Sequence, residues 1–131
     1  MSNWADRLEA LRSEGVITGF ALLTAAGACE PVTGPFTDPE GTAPLRPEAR
    51  QLAAPFFTAG PPPGSYDFCG ARLIVVQQTP GSFCAVSRRR ELGIAARHLP
   101  CGVLLASFAW PTPAQRAAAE LDRCCAALAG A

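Results

Sequence analysis

Sulfur and guanidinium are the reactive groups of this sequence. Cys29, Cys69, Cys84, Cys101, Cys124 and Cys125 accompany a single histidine, His98. An even set of cysteines suits a disulfide framework in a small secreted chain. Here the spacings are irregular, and Met1–Arg12 is charged and amphipathic where a secretory signal would be apolar. Six reduced thiols are therefore expected, most of them in or beside apolar runs, where a thiol is inert. Cys124 and Cys125 are adjacent, so no C-x-x-C pair joins His98, and no metal is expected. No nucleophile motif surrounds His98, and no glycine-rich phosphate loop or paired-carboxylate motif is present. A non-enzymatic chain without a cofactor is the expectation; a small thiol enzyme built on one of the cysteines is the alternative.

Arg88-Arg89-Arg90 is the densest charge in the chain. It reads either as a solvated hairpin end or as a contact for an anion or an acidic protein, because guanidinium pairs bidentately with phosphate and carboxylate. Trp4 is either a lid over the core or half of an aromatic ligand platform. Charge as a whole is balanced: eleven basic residues, all arginine, offset eleven acidic ones, which gives nothing to favour nucleic acid. With 49% apolar residues the chain is not disordered, and 131 residues fit one domain, 1–131. No apolar run approaches the roughly 18 residues of a membrane span.

The elements that must position these groups follow from hydrophobic period and punctuation. Ser2–Ser13 reads as a helix with Trp4, Leu8 and Leu11 on one face, ended by Gly15. Val16–Thr24 is a strand, Ala25–Ala28 a turn, and Cys29–Thr33 a return strand weakened by Pro31. Gly34–Pro47 is a loop, and Glu48–Ala54 a short helix opened by Pro47, with Leu52 and Ala53 inward. Ser65–Gly70 is a strand with Tyr66 and Phe68 on one face. Leu73-Ile74-Val75-Val76 runs without polar alternation, as in a strand covered on both faces. With the strand after Thr79-Pro80-Gly81-Ser82 it makes a hairpin, expected at the centre of the sheet and closed by a type II turn with Gly81 at positive φ. Glu91–His98 is a strand with Ile94 inward, and Cys101–Trp110 a second buried strand. Thr112-Pro113-Ala114-Gln115 is spaced as a capping box for a last helix to about Leu128. Ala114, Ala117, Ala118, Leu121, Cys124, Cys125 and Leu128 line its inner stripe. Tight turns between successive strands make the sheet antiparallel, and the class is α+β.

Taken in order, these stretches resemble profilin, especially the plant type. Met1-Ser2-Asn3-Trp4 is similar to the family's N-terminal tryptophan on its first helix. Leu45-Arg46-Pro47-Glu48 resembles the F-K-P-E-E start of its second helix. Ser65–Gln77 resembles G-L-x-L-G-G-x-K-Y-x-V-I-Q, and Gly81–Arg90 resembles G-A-V-I-R-G-K-K. Val103–Gln115 resembles the penultimate strand and the P-V-T-P-G-Q opening of the last helix. Within the pattern Cys69 replaces the first glycine of the Gly-Gly pair, and Ser65 the glycine that opens that motif. Ala114, Arg116 and Ala117 replace Gly, Cys and Asn.

The resemblance implies a profilin-like antiparallel sheet with the N- and C-terminal helices on one face and a small helix on the other. It implies a monomeric, cytoplasmic protein of the cytoskeleton that binds monomeric actin and regulates its polymerisation. The positions matching the family's actin face are Arg72, Val75, Gln77, Arg88, Arg89, Arg90, Pro113, Gln115 and Arg116. Phosphoinositide binding through the arginine run is also implied. Polyproline binding is expected to be weak or absent. Trp4 matches one ring of the family's platform, but Arg7, Glu30-Pro31 and Cys125-Ala126 stand where its other aromatics fall. The alternative within the same fold is an interaction module for a partner other than actin.

Overall fold

In the computed structural model the Leu8 and Leu11 face of α1 (Trp4–Ser13) is buried, and Gly15, at φ 81°, ends the helix. The structure describes residues 4–24, 27–29, 32–41, 43, 45–58, 60–89 and 91–129, and the side chains of Trp4 and residues 127–129 are outside the description. Trp4 as a platform ring, Leu128 as a stripe residue, Glu30-Pro31 and Arg90 therefore lie outside the described residues.

After α1 come β1 (Gly19–Thr24), β2 (Gly27–Cys29), a short helix α2 (Arg50–Ala53), β3 (Ser65–Phe68), β4 (Ala71–Thr79), β5 (Ser82–Ser87), β6 (Gly93–Leu99), β7 (Gly102–Phe108) and α3 (Ala114–Ala129). The seven strands form one antiparallel sheet in the order β2-β1-β7-β6-β5-β4-β3. One apolar layer joins α1 and α3 to Phe20, Leu22, Cys84, Ala95, Leu104, Ala106 and Phe108. The other joins Leu52 and Ala53 of α2, with Phe36 and Leu45 of the loop before it, to Phe68, Leu73, Phe83, Ile94 and Leu105. The two terminal helices thus share one face and the small helix takes the other, as the resemblance implies.

The hairpin β4–β5 is not the centre of the sheet. That place belongs to β6, beside β7, whose seven residues are all buried. β4 is next to the edge, and α3 packs over β5, β6 and β7, so Ile74 and Val76 are left 47% and 55% exposed. A continuous apolar run signals two covered faces only where an element exists to cover the second one. Nor does the expected type II turn form, because Gly81 does not adopt a positive φ. Side-chain hydroxyls hold the loop instead. Gly81 N–H donates to Thr79 Oγ1 at 3.3 Å, and that oxygen lies 2.8 Å from Ser82 Oγ.

Three further boundaries move. The return strand of the first hairpin is Gly27–Cys29, not Cys29–Thr33. Val16 and Ile17 are buried but precede β1. The small helix is flanked by 3-10 turns at Pro47–Ala49 and Ala54–Phe56, so Pro55 lies within a turn that continues it.

The segment leading into α2 is clipped to the β3–β4 turn by polar contacts. Arg46 Nε donates to the Pro35 carbonyl at 3.1 Å, and Arg46 Nη1 pairs with Glu48 at 2.8 Å. The same Glu48 oxygen accepts the Cys69 N–H at 3.3 Å. Cys69 and Gly70 both lie at positive φ, 53° and 75°, as the two-residue loop between paired Phe68 and Ala71 requires. An L-residue in this region costs about 1–2 kcal/mol, whereas glycine adopts it freely at the expense of backbone entropy. Cys69→Gly is therefore expected to stabilise the fold by roughly 0.5–1 kcal/mol, read as a higher urea midpoint with an unchanged slope. A lower midpoint would mean that the sulfur, 3.7 Å from the Pro35 carbonyl, is worth more than the relief of strain.

Candidate protein-binding face

A groove of about 390 Å³ opens where the second half of β4, the end of β5 and the start of β6 meet the start of α3. Val76, Val86, Leu92, Phe108 and Pro113 give it apolar walls, and Gln77, Thr112 and Gln115 give it polar ones. A β-bulge between Val75 and Gln77 shapes the β4 side. Ile74 pairs with Val86 and Gln77 with Cys84, and Val86 and Cys84 both belong to the helix-covered layer. Residues three apart in a regular strand face opposite ways; the extra residue puts Ile74 and Gln77 on one side.

The groove is possible because Gly93 has no side chain. Phe108 pairs with Gly93 across β6 and β7, and its ring lies where a Cβ would stand. On the helix side, Thr112 N–H donates to the Ala109 carbonyl at 2.9 Å and Thr112 Oγ1 donates to the Gly15 carbonyl at 3.4 Å. The expected capping box does not operate, since the threonine hydroxyl is used to tie the loop to the end of α1. The Pro113 carbonyl accepts the first bond of α3, from Ala117 N–H at 3.2 Å.

Of the residues proposed from the sequence, Gln77, Pro113 and Gln115 come together in this groove. Arg72 lies on the same side of β4 as Ile74, exposed, with Nε 3.4 Å from Asp67 Oδ1. Arg88 and Arg89 are exposed in the loop after β5, whose base is closed by Ser87 N–H to the Leu92 carbonyl at 2.8 Å and Leu92 N–H to Ser87 Oγ at 3.1 Å. Arg116 is exposed on the first turn of α3. Val75 is turned the other way and packs against the layer beneath the sheet.

Three apolar residues on or near the face were read from the sequence as buried. They are Ile74, Val76 and Trp110. Trp110 is not the end of a buried strand; β7 stops at Phe108, and Trp110 stands 70% exposed in the loop leading to α3. A tryptophan beyond the last strand residue and within Trp-Pro-Thr-Pro was the available signal.

Four of the six thiols are held in the protonated form by burial. Burial pushes the Cys84 thiol up to about 11 and that of Cys125 up to about 12, and it raises Cys69 and Cys124 as well. His98 stacks on Phe56 at 5.5 Å and meets the edge of Phe57 at 5.9 Å. Among the described residues no three His, Cys, Asp or Glu side chains are grouped to hold a metal, and no helix is long and apolar enough to cross a membrane.

No protein-family model and no curated protein sequence matches the chain. Solved structures do. Loki profilin 2, in its complex with rabbit actin, superposes with a TM-score of 0.75 at 11% identity, over 99% of this chain and 98% of that one. The profilin of Schizosaccharomyces pombe gives 0.72 at 20% identity over 98% of each. Profilin IB of Acanthamoeba castellanii gives 0.67 at 17% identity over 91% and 90%. The chain has the profilin fold.

Within this profilin fold the groove depends on Phe108 resting on Gly93. Gly93→Ala is expected to push that ring into the groove and destabilise the protein by about 1–3 kcal/mol, the usual cost of overpacking. Thermal unfolding measures the loss, and an unchanged midpoint would show that the ring has free space to move into.

Proposed function

We propose that the chain binds monomeric actin through the groove face and slows the nucleation of filaments. The observation that supports this best is the near full-length likeness to Loki profilins 1 and 2 in their complexes with rabbit actin. It is joined by the meeting of Gln77, Pro113 and Gln115 in one groove. The face has the composition of a protein contact. Trp110, Ile74 and Val76 supply exposed apolar anchors, and Arg72, Arg88, Arg89 and Arg116 lie exposed on the neighbouring elements. Binding energy concentrates in a few such anchors, with tryptophan and arginine over-represented. Basic groups facing an acidic partner govern orientation and on-rate. The exposed Arg88-Arg89 pair is also the part of the face suited to a phosphoinositide headgroup. A cytoplasmic, cytoskeletal setting follows from the same reading.

Pyrene-actin assembly tests it. A molar excess of the protein is expected to lengthen the lag, and Trp110→Ala to weaken binding by roughly 2 kcal/mol, about thirtyfold in Kd. Replacing Arg88, Arg89 and Arg90 by Ser is expected to slow association and flatten its salt dependence. An unchanged lag at large excess overturns the proposal, and a different stable partner in a pulldown would put the fold in another service.

Polyproline recognition is proposed to be weak. Profilins grip the ligand with rings between the first and last helices; here Arg7 is exposed on α1, and Cys125 is buried in the contact of α3 with the sheet. A proline-rich peptide is expected to leave the tryptophan fluorescence without a saturable change. Micromolar saturation that vanishes in Trp4→Phe would show the opposite.

A further inference from the structure

On the face of the sheet that carries α2, away from the groove, a cleft of about 410 Å³ lies between the β1–β2 hairpin and the segment 50–58. Arg50, Ala53, Ala54, Phe57 and Thr58 line one side of it. Their i, i+3, i+4, i+7, i+8 spacing puts them on one stripe of α2 and the turn that continues it. The floor is apolar, since Leu23 and Leu45 are 7% and 5% exposed and belong to the layer beneath the sheet. Gly27, at φ 123°, has nothing beyond its chain neighbours within 4 Å of where a Cβ would stand, so the rim is open at the hairpin end.

Two side chains of this lining are not used by the fold. Phe57 is 53% exposed, and it stands apart from Ile74, Val76 and Trp110, the exposed apolar residues on or near the groove face. Its ring is held against His98, with centroids 5.9 Å apart and planes at 88°, so it presents a fixed apolar wall. The other is Arg50, the one charged residue that lines the cleft among the described residues. Arg46, on the same segment, is spent on Glu48 and the Pro35 carbonyl. The Arg50 guanidinium is exposed and has no ion pair or hydrogen bond among the described residues. The cleft's two threonine hydroxyls are committed within the chain. Thr24 Oγ1 donates to the Gly27 carbonyl and Thr58 Oγ1 to the Ala54 carbonyl, both at 3.1 Å. The unspent side-chain donor of an otherwise apolar cleft is therefore a cation.

We propose that this cleft is a second binding site, for a small monocarboxylate with an apolar, ring-bearing body. The planar guanidinium fork of Arg50 donates to both carboxylate oxygens. The ligand's ring rests on Phe57, with the aliphatic floor beneath it. One guanidinium balances one negative charge, and no second cation lines the cleft. A phosphate dianion would bring a charge that nothing there compensates, which selects for the carboxylate. Apolar walls with a few placed polar groups are the common build of a small-molecule site, and the volume lies at the small end of that range.

Titration of the full-length, ¹⁵N-labelled protein with sodium phenylacetate tests the assignment, beside sodium acetate and phenylacetamide. A ligand of this size binds in the millimolar range. Saturable shifts are expected at the amides of Leu23, Ala53 and Phe57 and not at those of Gln77 and Gln115. Acetate lacks the body and phenylacetamide lacks the charge, so each is expected to bind about tenfold more weakly. Arg50→Gln removes an exposed, unpaired side chain, so it is expected to keep the melting temperature and to lose about tenfold in affinity for phenylacetate. Arg50→Lys is expected to restore only part of that, since an ammonium makes no fork. Phe57→Ser is expected to weaken phenylacetate and leave acetate as it was. Absence of saturable shifts at the cleft overturns the proposal. So does unaltered affinity in Arg50→Gln. Equal binding of phenylacetamide and phenylacetate also overturns it, because the cleft would then be reading the ring alone.

Discussion

Everything in this molecule leans on two strands that must serve two cores at once. β6 and β7 lie between the layer of α1 and α3 and the layer of α2, and β7 has no exposed residue. Alternate side chains go to opposite layers: Leu104 and Ala106 to the terminal helices, Val103 and Leu105 to the small one. The side facing the helices is built from small residues where the long helix crosses it, Ala95 and Ala106 against Ala117, Leu121 and the buried Cys124 and Cys125. Small residues bring a helix close to a sheet, and close packing is what gives the apolar area its value. The Arg97–Asp122 pair, at 3.3 Å, fastens β6 to α3 at the surface without adding much energy.

The element list was largely legible in the sequence because it rests on local signals. Leu8 and Leu11 at helical spacing, Gly15 at the stop, Tyr66 and Phe68 on one face of a strand, and Ile94 pointing inward all depend on near neighbours. What was not legible depends on distant ones. Leu73-Ile74-Val75-Val76 and Val103-Leu104-Leu105 look alike as strings; only strand order makes the second doubly buried and leaves the first half bare. The Thr79–Ser82 loop and the start of α3 failed for a related reason. In both, a threonine hydroxyl makes a bond that the sequence reading did not include, to Gly81 and Ser82 in one case and to Gly15 in the other.

The candidate face was legible only through resemblance. Nothing in the spacing of Gln77, Pro113 and Gln115 says that they meet, since the meeting is made by a strand register and a helix start far apart in the chain. Trp110, Ile74 and Val76 were hidden by their own chemistry, because an apolar residue in an apolar run is read as core. Their exposure is the informative departure, since Val76 lines the groove and Trp110 stands bare in the loop between Phe108 and Thr112, which line it too.

The bulge at Val76 has a consequence for how such chains diverge. Beyond it, the strand is one residue out of step with a regular pairing, so the face presented by Gln77 is fixed by a count, not by a side chain. Losing one residue there would exchange the two sides of everything up to the Thr79 turn, sending one glutamine toward the lower layer and bringing the other to the groove. Substitutions at this spot adjust a surface; insertions and deletions replace it. Comparison of sequences position by position is blind to that difference, and chains of this shape can therefore drift beyond recognition by sequence while their backbones stay superposable.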